Sequence, residues 1–402
     1  MKILHVTTCL TGGAGVACRR IHEALCRYGI ESSILTKPDF IATGYAPSVL
    51  PYRFWRKLSF YLEKFHHTAN PILHSSGLVS TFDVEQLNRS DADIIHLHWI
   101  NDEFLSIRDI ARIRKPLVWT LHDSWPFCGA EHHPNLPAND RRYAEGYSRR
   151  NFPATSSGLD YDRYIWLYKR FHWKNLKIFF VAPSNFELNL CKESIIGRKI
   201  PARRIPHPLD LNIFSASKEQ HSSMERTICF GACSQQDPNK GFELLLKALN
   251  ILKKKNPGFK IRLLCFGKTD PSILQGTGFP NEVFGSVSKE TDLAKIYRKA
   301  DVFVCPSLIE SFSYTTAEAL ACGLPVTAFA EGGLPDMITQ KWNGYLAAPY
   351  DPEDLAEGIL YCLHNRDTLS KNARKRTEKI CNPARIAQQY TSLYEEILRS
   401  KK

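Results

Sequence analysis

Two glutamates flank the start of a predicted helix in the segment PSLIESFSYTTAEALA, residues 306–321. Glu310 lies in the loop after an apolar strand, and Glu318 follows one turn inside the helix that begins near Ser313. Ser313 is predicted to cap that helix, whose first N–H groups and positive end favour a bound phosphate. Each carboxylate could then accept hydrogen bonds from hydroxyl groups beside the phosphate, one set on a sugar and one on a ribose. A capped helix with ordinary surface acids is the alternative interpretation.

A glycine-rich segment, TCLTGGAGV at residues 8–16, lies between the first predicted strand and the first predicted helix. Its three glycines, Gly13 among them, permit positive φ and close backbone approach, and the helix start offers N–H groups to an anion. A dinucleotide fingerprint would need glycine where Cys18 stands and an acid at the end of the second strand, which instead has Thr36 and Lys37. The segment favours a phosphate or substrate loop of non-nicotinamide type, with a plain structural turn as the alternative.

Histidines provide the third set of candidates. His122, in VWTLHDSW, follows a predicted strand whose carboxyl end should open onto a ligand crevice, so it could orient a substrate or donate to a substrate oxygen. A histidine satisfied by local backbone is the alternative. His96 and His98 lie on one side of another strand, and His132 and His133 could join them around a metal. Because no third ligand stands at a recognisable spacing, the sequence predicts no metal site.

The elements that position these residues follow a βαβ pattern, in which short β-branched runs alternate with amphipathic helical stretches. The predicted strands are 3–7, 33–36, 94–98, 117–121, 179–182, 227–231, 262–266, 302–305 and 326–329. The predicted helices are 16–28, 104–112, 241–254, 292–298, 315–321 and 383–398. Such alternation is typical of parallel sheets with helices on both faces.

The fold class that follows is α/β, with two tandem Rossmann-like, doubly wound parallel sheets facing across a cleft. A chain of 402 residues is long enough for about two domains. An irregular stretch that contains two prolines, residues 203–211, separates the two groups of strands. We expect an N-terminal domain over 1–205, a C-terminal domain over 206–382, and a final helix over 383–402 that packs back on the first domain. Residues 124–177 fit the alternation poorly and are predicted to form an insertion.

The segment around the two glutamates resembles the donor-site signature of glycosyltransferase family 4, retaining enzymes of the GT-B fold. The spacing Glu310-x7-Glu318 within PSLIESFSYTTAEALACGLPV carries the resemblance. The GGAG loop, VWTLHDSW and NKGF (Asn239–Phe242) agree with the family in the same order along the chain. Spacing of several separate motifs makes the resemblance specific for the family, though not for a donor or an acceptor.

Two further motifs are similar to the family's interdomain passage, VAPSNF at 181–186 and PHPLD at 206–210. The similarity spans nearly the whole chain and is weakest over residues 40–90 and 124–177. It implies that the first domain lies on the acceptor side and that the second binds the nucleotide sugar.

The resemblance implies a role for each matching position. Glu310 would hold hydroxyls of the transferred sugar, Glu318 would bind the ribose, and Lys240 would neutralise the diphosphate and so stabilise the leaving group. His122 would contact the donor sugar from the other domain, and the loop at Gly13 would lie near phosphate and acceptor. Backbone N–H groups would grip sugar and diphosphate along Ser311, Phe312, Ser313, Tyr314 and Thr315.

Two departures from the family pattern bear on diphosphate binding. An arginine commonly precedes the lysine, but GACSQQDPN (Gly231–Asn239) contains none, and the family's glycine-aromatic-glycine is Ser311-Phe312-Ser313 here. Both changes leave the backbone contacts possible.

No carboxylate is evident opposite the sugar, so the sequence favours same-face attack, in which the leaving phosphate accepts the acceptor's proton. The expected donor is a UDP- or GDP-linked sugar, with no cofactor and no metal. An epimerase or a phosphorylase on the same fold is the alternative, because fold does not fix function.

The charge of the chain suits an anionic partner. Lys and Arg number 53 against 41 Asp and Glu, a net +12, and residues 1–210 hold 28 basic and 20 acidic residues, or +8 of that total. Nucleic acid, a membrane face and phosphorylated small molecules all fit this balance. No compact Lys/Arg stripe belongs to a known nucleic-acid-binding module, so a nucleic-acid partner is not expected.

The segment YRFWRKLSFYLEKFHH, Tyr52–His67, predicts an amphipathic helix with an aromatic face and a basic back. Such a helix can lie on an anionic membrane face, or its apolar stripe can pack on the N-terminal core. Phe60, on the basic side, favours the membrane. Similar bacterial enzymes build O-antigen, capsule or exopolysaccharide on a lipid carrier, so the resemblance implies a lipid-linked saccharide acceptor and peripheral association with the inner leaflet.

The cellular location is predicted from two kinds of segment that are not seen in the sequence, a membrane-spanning run and a signal peptide. No run approaches about 18 apolar residues, and the first residues have no signal-peptide pattern. The 12 cysteines are scattered without a C-x-x-C pair, which favours reduced core thiols. We therefore expect a cytoplasmic protein, peripheral on the membrane where the basic aromatic segment binds.

Overall fold

A computed structural model describes residues 1–42, 57, 60–61, 64–68, 70–216, 225–234, 237–268 and 271–400. The chain divides into two compact units. The first comprises Met1–His207 and Ala384–Lys402, and the second comprises Pro208–Pro383.

The first unit is built on a six-stranded parallel sheet in the order β2-β1-β4-β5-β7-β8. A separate antiparallel ribbon pairs β3 with β6. The strands are β1 (Lys2–Thr7), β2 (Glu31–Thr36), β3 (His66–His67), β4 (Ile94–Leu97), β5 (Leu117–Thr120), β6 (Ser157–Gly158), β7 (Ile178–Ala182) and β8 (Ala202–Arg204). β4 and β5 are buried along their whole length, as central strands of a sheet covered on both faces should be.

Besides helical residues at 57, 60, 61 and 64, seven α-helices are assigned in the described part of this unit before residue 207. They are α1 (Gly12–Arg27), α2 (Lys37–Ala42), α3 (Glu85–Arg89), α4 (Ile107–Ile110), α5 (Arg142–Glu145), α6 (Tyr161–Trp173) and α7 (Asn185–Glu193). The predicted helix over 104–112 shrinks to the four residues of α4, because Ser106 caps it by accepting from the Asp109 N–H. The insertion at 124–177 contains α5, α6 and β6.

The second unit has its own six-stranded parallel sheet, in the order β11-β10-β9-β12-β13-β14. Its strands are β9 (Arg226–Ser234), β10 (Ile261–Lys268), β11 (Asn281–Val283), β12 (Val302–Cys305), β13 (Val326–Phe329) and β14 (Gly344–Ala347). Its helices are α8 (Phe242–Lys255), α9 (Pro271–Gln275), α10 (Glu290–Arg298), α11 (Tyr314–Ala321), α12 (Leu334–Met337), α13 (Pro352–His364) and α14 (Arg366–Ile380). The predicted fold class, two tandem doubly wound parallel sheets, is confirmed.

The last helix, α15 (Pro383–Arg399), completes the core of the first unit. Its apolar side packs in the same cluster as Ile3, Ile21 and Ile94. The buried side chains on that face are Ile386, Ala387, Tyr390, Leu393 and Tyr394. Each large apolar side chain buried this way contributes about 1.5–3 kcal/mol. The first unit therefore depends on residues from both ends of the sequence.

The eleven described cysteines are all free, and nine of them are buried. Within the described ranges, no helix combines the length and the apolar character needed to span a bilayer.

Candidate functional site

An ion pair between Lys240 and Glu310 is the centre of the candidate site in the second unit. Nζ of Lys240 lies 2.8 Å from Oε1 of Glu310, which also accepts from Ser307 Oγ at 2.8 Å. The two charged side chains are 27% and 16% exposed. Burial alone would lower the pKa of Lys240, but the Glu310 carboxylate outweighs it and raises that pKa above its ordinary value. The lysine is therefore a full cation at neutral pH.

Two loops are clamped together to form this pair. Gly241, which follows the 3₁₀ turn Pro238–Lys240, has φ +62°, and a Cβ added there would lie 1.9 Å from the Pro306 carbonyl oxygen. Asn239 fixes the same contact, since its carbonyl accepts from the Leu308 N–H at 2.8 Å. No residue with a side chain fits at 241, so the NKGF motif places its lysine beside the loop after β12.

The loop is also held from its other side. The Glu310 carbonyl accepts from the Gly333 N–H at 2.6 Å, and a Cβ added to Gly332 would lie 2.5 Å from that carbonyl oxygen. The backbone of Glu310 is therefore fixed between two glycine turns, while its carboxylate stays partly exposed. Such fixation preorganises a charged group for a ligand.

Ser313 occupies the N-cap position of α11 but does not cap it, so that prediction was wrong. Its φ is +68°, and its Oγ donates to Thr316 Oγ1 at 3.0 Å instead of accepting from a helix N–H. The left-handed backbone turns the hydroxyl away from the N–H groups of the first turn. Phe312, in the same segment, packs into the core, with its ring 5.3 Å from that of Tyr314.

The remaining residues that were predicted to bind the sugar donor differ in their exposure to solvent. Ser311 is buried, while Tyr314 and Thr315 are half-buried at the start of α11. Glu318 is only 4% exposed, and its Oε2 accepts from the Tyr297 hydroxyl at 3.2 Å. The structure therefore gathers Glu310, Ser311 and the first turn of α11 at one end of β12, and places Glu318 deeper on the same helix.

The glycine-rich segment of the first unit forms the first turn of α1, which starts at Gly12 rather than at the predicted residue 16. Gly13 is exposed, and a Cβ added there would meet nothing within 4 Å. At Gly15 an added Cβ would lie 2.5 Å from the backbone of Leu10. One glycine therefore allows close packing of the turn, and Gly13 leaves open space over the helix start.

His122 is the last of three hydrogen-bonded imidazoles, the histidine chain His5–His98–His122. Nδ1 of His5 lies 2.9 Å from Nε2 of His98, and Nδ1 of His98 lies 2.9 Å from Nε2 of His122. Burial lowers the pKa of His5 to about 3 and that of His122 to about 4, and it also holds the pKa of His98 well below its ordinary value. All three rings are therefore neutral at neutral pH, and each carries one N–H.

The direction of the histidine chain follows from its buried end. Nε2 of His5 has no hydrogen-bond partner among the described residues. Because a buried N–H without an acceptor is rare, the His5 proton belongs on Nδ1, where it donates to His98 Nε2. Nδ1–H of His98 then donates to Nε2 of His122. This leaves Nδ1–H of His122 as the remaining donor of that ring.

Asp123, next to His122, organises the loop that follows β5. Its Oδ2 lies 2.5 Å from His132 Nδ1 and accepts from Trp99 Nε1 at 3.1 Å, and its Oδ1 accepts from the Trp125 N–H at 3.0 Å. Burial alone would raise the pKa of Asp123, but its contact with His132 lowers it. The carboxylate therefore stays charged and holds His122 on a rigid turn.

The structure separates the four histidines that could have shared a metal. His132 pairs with Asp123, and Nδ1 of His133 lies 3.1 Å from Ser124 Oγ. Neither joins His96 and His98.

The third imidazole beside His96 and His98 is His5, which the sequence did not indicate because it lies on a different strand. Both ring nitrogens of His96 have partners, the Tyr394 hydroxyl at 2.7 Å and Thr120 Oγ1 at 2.8 Å. His96 is therefore held by two hydroxyl groups, while His5 and His98 bond to each other in the histidine chain.

Sequence reasoning missed the residues that act on the candidates from neighbouring elements. Ser307 stands three residues before Glu310 and could have been inferred from that spacing. His5 and His98 could not, because their contact with His122 depends on β1, β4 and β5 being adjacent in the sheet.

Two family models match the chain. Residues 11–212 match the model described as Glycosyltransferase Family 4, and residues 225–365 match the one described as Glycosyl transferases group 1. Together they include most residues of both candidate regions.

Among curated relatives, a D-inositol 3-phosphate glycosyltransferase of Corynebacterium kroppenstedtii is 31% identical over 174 residues, which cover 40% of this chain and 38% of that relative's length. An uncharacterized glycosyltransferase of Methanocaldococcus jannaschii is 26% identical over 98% of both chains.

Solved structures resemble the chain over its full length. Sucrose-phosphate synthase from Thermosynechococcus elongatus has a TM-score of 0.70 at 19% identity and 100% coverage of both chains. Anabaena HepE in complex with UDP-glucose has a TM-score of 0.62 at 16% identity, with 98% of this chain and 100% of that chain covered. At these identities the likeness establishes the fold.

Proposed function

Because the chain belongs to glycosyltransferase family 4, we propose that it moves a sugar from a nucleotide-diphosphate donor to a saccharide acceptor, with retention of the anomeric configuration. That the chain is a glycosyltransferase follows from its family and relatives. The proposed donor is linked to UDP or GDP, and a protein of the same fold in complex with UDP-glucose supports this choice. The observation that carries the proposal is the Lys240–Glu310 pair at the start of α11.

The ion pair supplies the two chemistries that a nucleotide sugar requires. Lys240 is a full cation that can neutralise the diphosphate, and its partner Glu310 can accept hydrogen bonds from sugar hydroxyls. The backbone N–H groups from Ser311 to Thr315 are proposed to hold the sugar and the diphosphate, and Glu318 to bind the ribose. No metal ion is required by this arrangement of charges.

The proposed reaction is attack on the face that the leaving group vacates. The bond between the sugar carbon and the diphosphate oxygen breaks, and the acceptor hydroxyl oxygen bonds to that carbon. The leaving diphosphate takes the acceptor's proton, while Lys240 offsets its developing charge. His122, neutral because it is buried, is proposed to donate its Nδ1–H to the transferred sugar, and the Gly13 turn to lie near phosphate and acceptor.

We further propose that the acceptor is a lipid-linked saccharide of bacterial surface polysaccharide synthesis, reached at the inner face of the membrane. Most of the basic aromatic segment Tyr52–His67 lies outside the described residues, and its end is a strand, since His66–His67 form β3. The described aromatic side chains support an interface, because Phe60, Tyr61 and Phe65 are 54%, 56% and 62% exposed.

Flotation with liposomes tests the membrane proposal. Binding to vesicles with anionic lipid is expected, weaker at high salt and weaker still after Lys57→Glu with Lys64→Glu. Absence of salt-sensitive binding to any vesicle would refute it.

The transfer proposal is tested by a thermal-shift panel of nucleotides and nucleotide sugars, followed by product analysis with the donor that stabilises most. Stabilisation by UDP or GDP and not by NAD or RNA is expected, with a retained anomeric bond in the product. Glu310→Gln should lower transfer. Glu353→Gln, at an exposed glutamate of the same unit, is the matched control and should not. Conversion of the donor without an acceptor would indicate an epimerase, and phosphate-dependent cleavage a phosphorylase.

A further inference from the structure

Three side chains from separate parts of the first unit converge away from the histidine chain. His66 lies on β3, His74 on the loop that follows, and Asp162 in the first turn of α6. Nε2 of His66 lies 3.4 Å from Asp162 Oδ2, and Nε2 of His74 lies 3.5 Å from Asp162 Oδ1. The side chains are 3%, 10% and 9% exposed, and one potential ligand atom from each lies within 4.8 Å of the others.

The backbone fixes the tautomer of both imidazoles. Nδ1 of His66 lies 2.9 Å from the Leu159 carbonyl oxygen, and Nδ1 of His74 lies 2.7 Å from the Ile72 carbonyl oxygen. Because a carbonyl only accepts, each Nδ1 carries a proton and donates it. In a neutral ring, the Nε2 atom that faces Asp162 then carries a lone pair and no proton. Histidines that bind metals have this arrangement, with the second nitrogen donating to a carbonyl or carboxylate.

Three of the converging atoms have no hydrogen-bond partner of normal geometry among the described residues. Nε2 of His66, Nε2 of His74 and Oδ1 of Asp162 are buried, and each is without a hydrogen-bond partner in the described part of the chain. Two lone pairs and a carboxylate that face one another repel unless a cation lies between them. One proton shared between His66 and Asp162 would still leave Nε2 of His74 and Oδ1 of Asp162 without a partner among the described residues.

The separations fit coordination better than direct pairing. Ligands of a tetrahedral zinc ion, at about 2.0–2.1 Å from the metal, are about 3.4 Å from one another. A hydrogen-bonded imidazolium and carboxylate approach to about 2.7–2.9 Å. The two observed distances, 3.4 Å to Oδ2 and 3.5 Å to Oδ1, are close to the first value and longer than the second. Each involves a different oxygen of Asp162, so both carboxylate oxygens would face the ion.

A second carboxylate stands beside Asp162. Oε2 of Glu131 is buried and has no hydrogen-bond partner among the described residues. A Cβ added to Gly129 would lie 2.5 Å from this oxygen and 2.7 Å from Cβ of Asp162, so the two side chains flank one glycine. His74 and Glu131 also share an isolated antiparallel bridge.

We propose that His66, His74 and Asp162 bind a zinc ion or a similar first-row divalent ion, with Glu131 as the fourth ligand. The site is structural, since it fastens the β3–β6 ribbon and the His74 loop to the start of α6. It uses none of the residues proposed to hold the donor.

Metal content and cobalt spectroscopy test the proposal on the full chain with any affinity tag removed. We expect about one zinc per chain after dialysis of the wild-type protein, and loss of that metal in His74→Gln and in Asp162→Asn. His172→Gln, at another histidine of the same unit on α6, is the matched control and should keep the metal. Cobalt(II) added to the metal-free protein should give a visible d–d spectrum without the near-ultraviolet thiolate band that cysteine ligands would produce.

Chelation supplies a readout that needs no variant. Removal of the metal should lower the melting temperature, and zinc should restore it. The proposal is overturned if the wild-type protein holds no zinc and gives no cobalt spectrum, if the bound metal survives both ligand substitutions, or if the cobalt spectrum shows thiolate ligation. Should the variants fail to fold, the cobalt and chelation results on the wild-type chain decide.

Discussion

The ion pair of the second unit and the histidine chain of the first unit differ in charge state: the first is charged and the second is neutral. Lys240 and Glu310 remain partly exposed, and their contact raises the pKa of the lysine, so a full charge is held ready. The histidine chain is kept neutral, because burial lowers the pKa of His5 to about 3 and that of His122 to about 4. In the proposed reaction, pairing keeps the lysine charged for a diphosphate, whereas burial keeps His122 a neutral hydrogen-bond donor for an uncharged hydroxyl.

The largest expected effect comes from removing the cation. Lys240→Ala should lower kcat/KM by about 10²–10³-fold, because charge on the leaving diphosphate loses its electrostatic partner and Glu310 is left without its counter-ion. Lys295→Ala is the matched control, since it breaks an exposed lysine–aspartate pair of similar length, 2.7 Å, in the same unit. In the double variant Lys240→Ala with Glu310→Gln, the loss of kcat/KM expressed as free energy should be smaller than the sum of the losses in the two single variants. Additive losses would show that the residues act independently.

The second prediction concerns acid. A histidine in the unfolded chain has a pKa of about 6.5. Below that pH the unfolded state therefore binds protons that the histidine chain of the folded state does not bind. The stability contributed by the neutral rings is present above about pH 6.5 and is lost as pH falls towards 4. For His122 alone, a pKa of about 4 corresponds to a loss of about 3 kcal/mol over that range. The raised pKa of Lys240 has no effect there, because the lysine is protonated in both states.

Hydrogen exchange measured separately for peptides of the two sheets checks this difference. Between pH 6.5 and 4.5, protection corrected for intrinsic exchange should fall more in β4 and β5 than in β12 and β13. His5→Phe should reduce the slope for the first unit, because one of the titrating rings is gone. Equal slopes in the two units would contradict the proposed role of burial.

A smaller effect is expected inside the histidine chain. In His98→Asn the amide Nδ2 can replace Nδ1 of the histidine and still donate to His122, whereas in His98→Gln the amide replaces Nε2 and the donor to His122 is lost. We expect His98→Gln to lower kcat about tenfold and His98→Asn to retain most activity. His98 acts here as a positioning residue.

The tautomer of His122 supplies the readout that a general loss of stability would not move. Nitrogen-15 spectra of wild-type and His98→Asn protein should show the proton of His122 on Nδ1, and those of His98→Gln should show a mixture. The same tautomer in all three proteins would argue against positioning by His98.

The central strands of both sheets were predicted, because parallel strands that are covered on both faces are mostly apolar and rich in β-branched residues. Predicted strand 302–305, for example, coincides with β12. The edge strands β8, β11 and β14 and the ribbon strands β3 and β6 were not predicted. The start of α1 was predicted four residues late, since its first turn contains three glycines that usually signal a loop. The short α4 was overpredicted because its capping serine stands within the apolar pattern.

Contacts between residues that are far apart in the chain could not be predicted from the sequence. The predicted chemistry at Lys240 and Glu310 came from motif spacing and the family resemblance, and their ion pair joins residues 70 positions apart. The converging group of His66, His74 and Asp162 has no motif at all, because its first and last members are 96 residues apart and meet only through the β3–β6 ribbon. Short spacings along the chain instead indicated His96 and His98, with His132 and His133, as possible metal ligands.

The smallest predicted effect lies at Ser313, where this chain has serine in place of the family's glycine. A φ of +68° costs an L-residue roughly 1 kcal/mol relative to glycine, while glycine adds about the same entropy to the unfolded chain. Ser313→Gly should therefore change the unfolding free energy by less than about 1 kcal/mol, despite losing the hydrogen bond to Thr316.

Ser311 is the matched control, because it is not among the non-glycine residues with positive φ in the described ranges. Ser311→Gly relieves no left-handed backbone and should lower the unfolding free energy by about 1 kcal/mol, as measured by urea denaturation. If Ser313→Gly destabilised the chain as much as Ser311→Gly, the left-handed turn would not be the reason for the family's glycine. The departure at Ser313 would then have to be explained by its hydroxyl contacts rather than by its backbone.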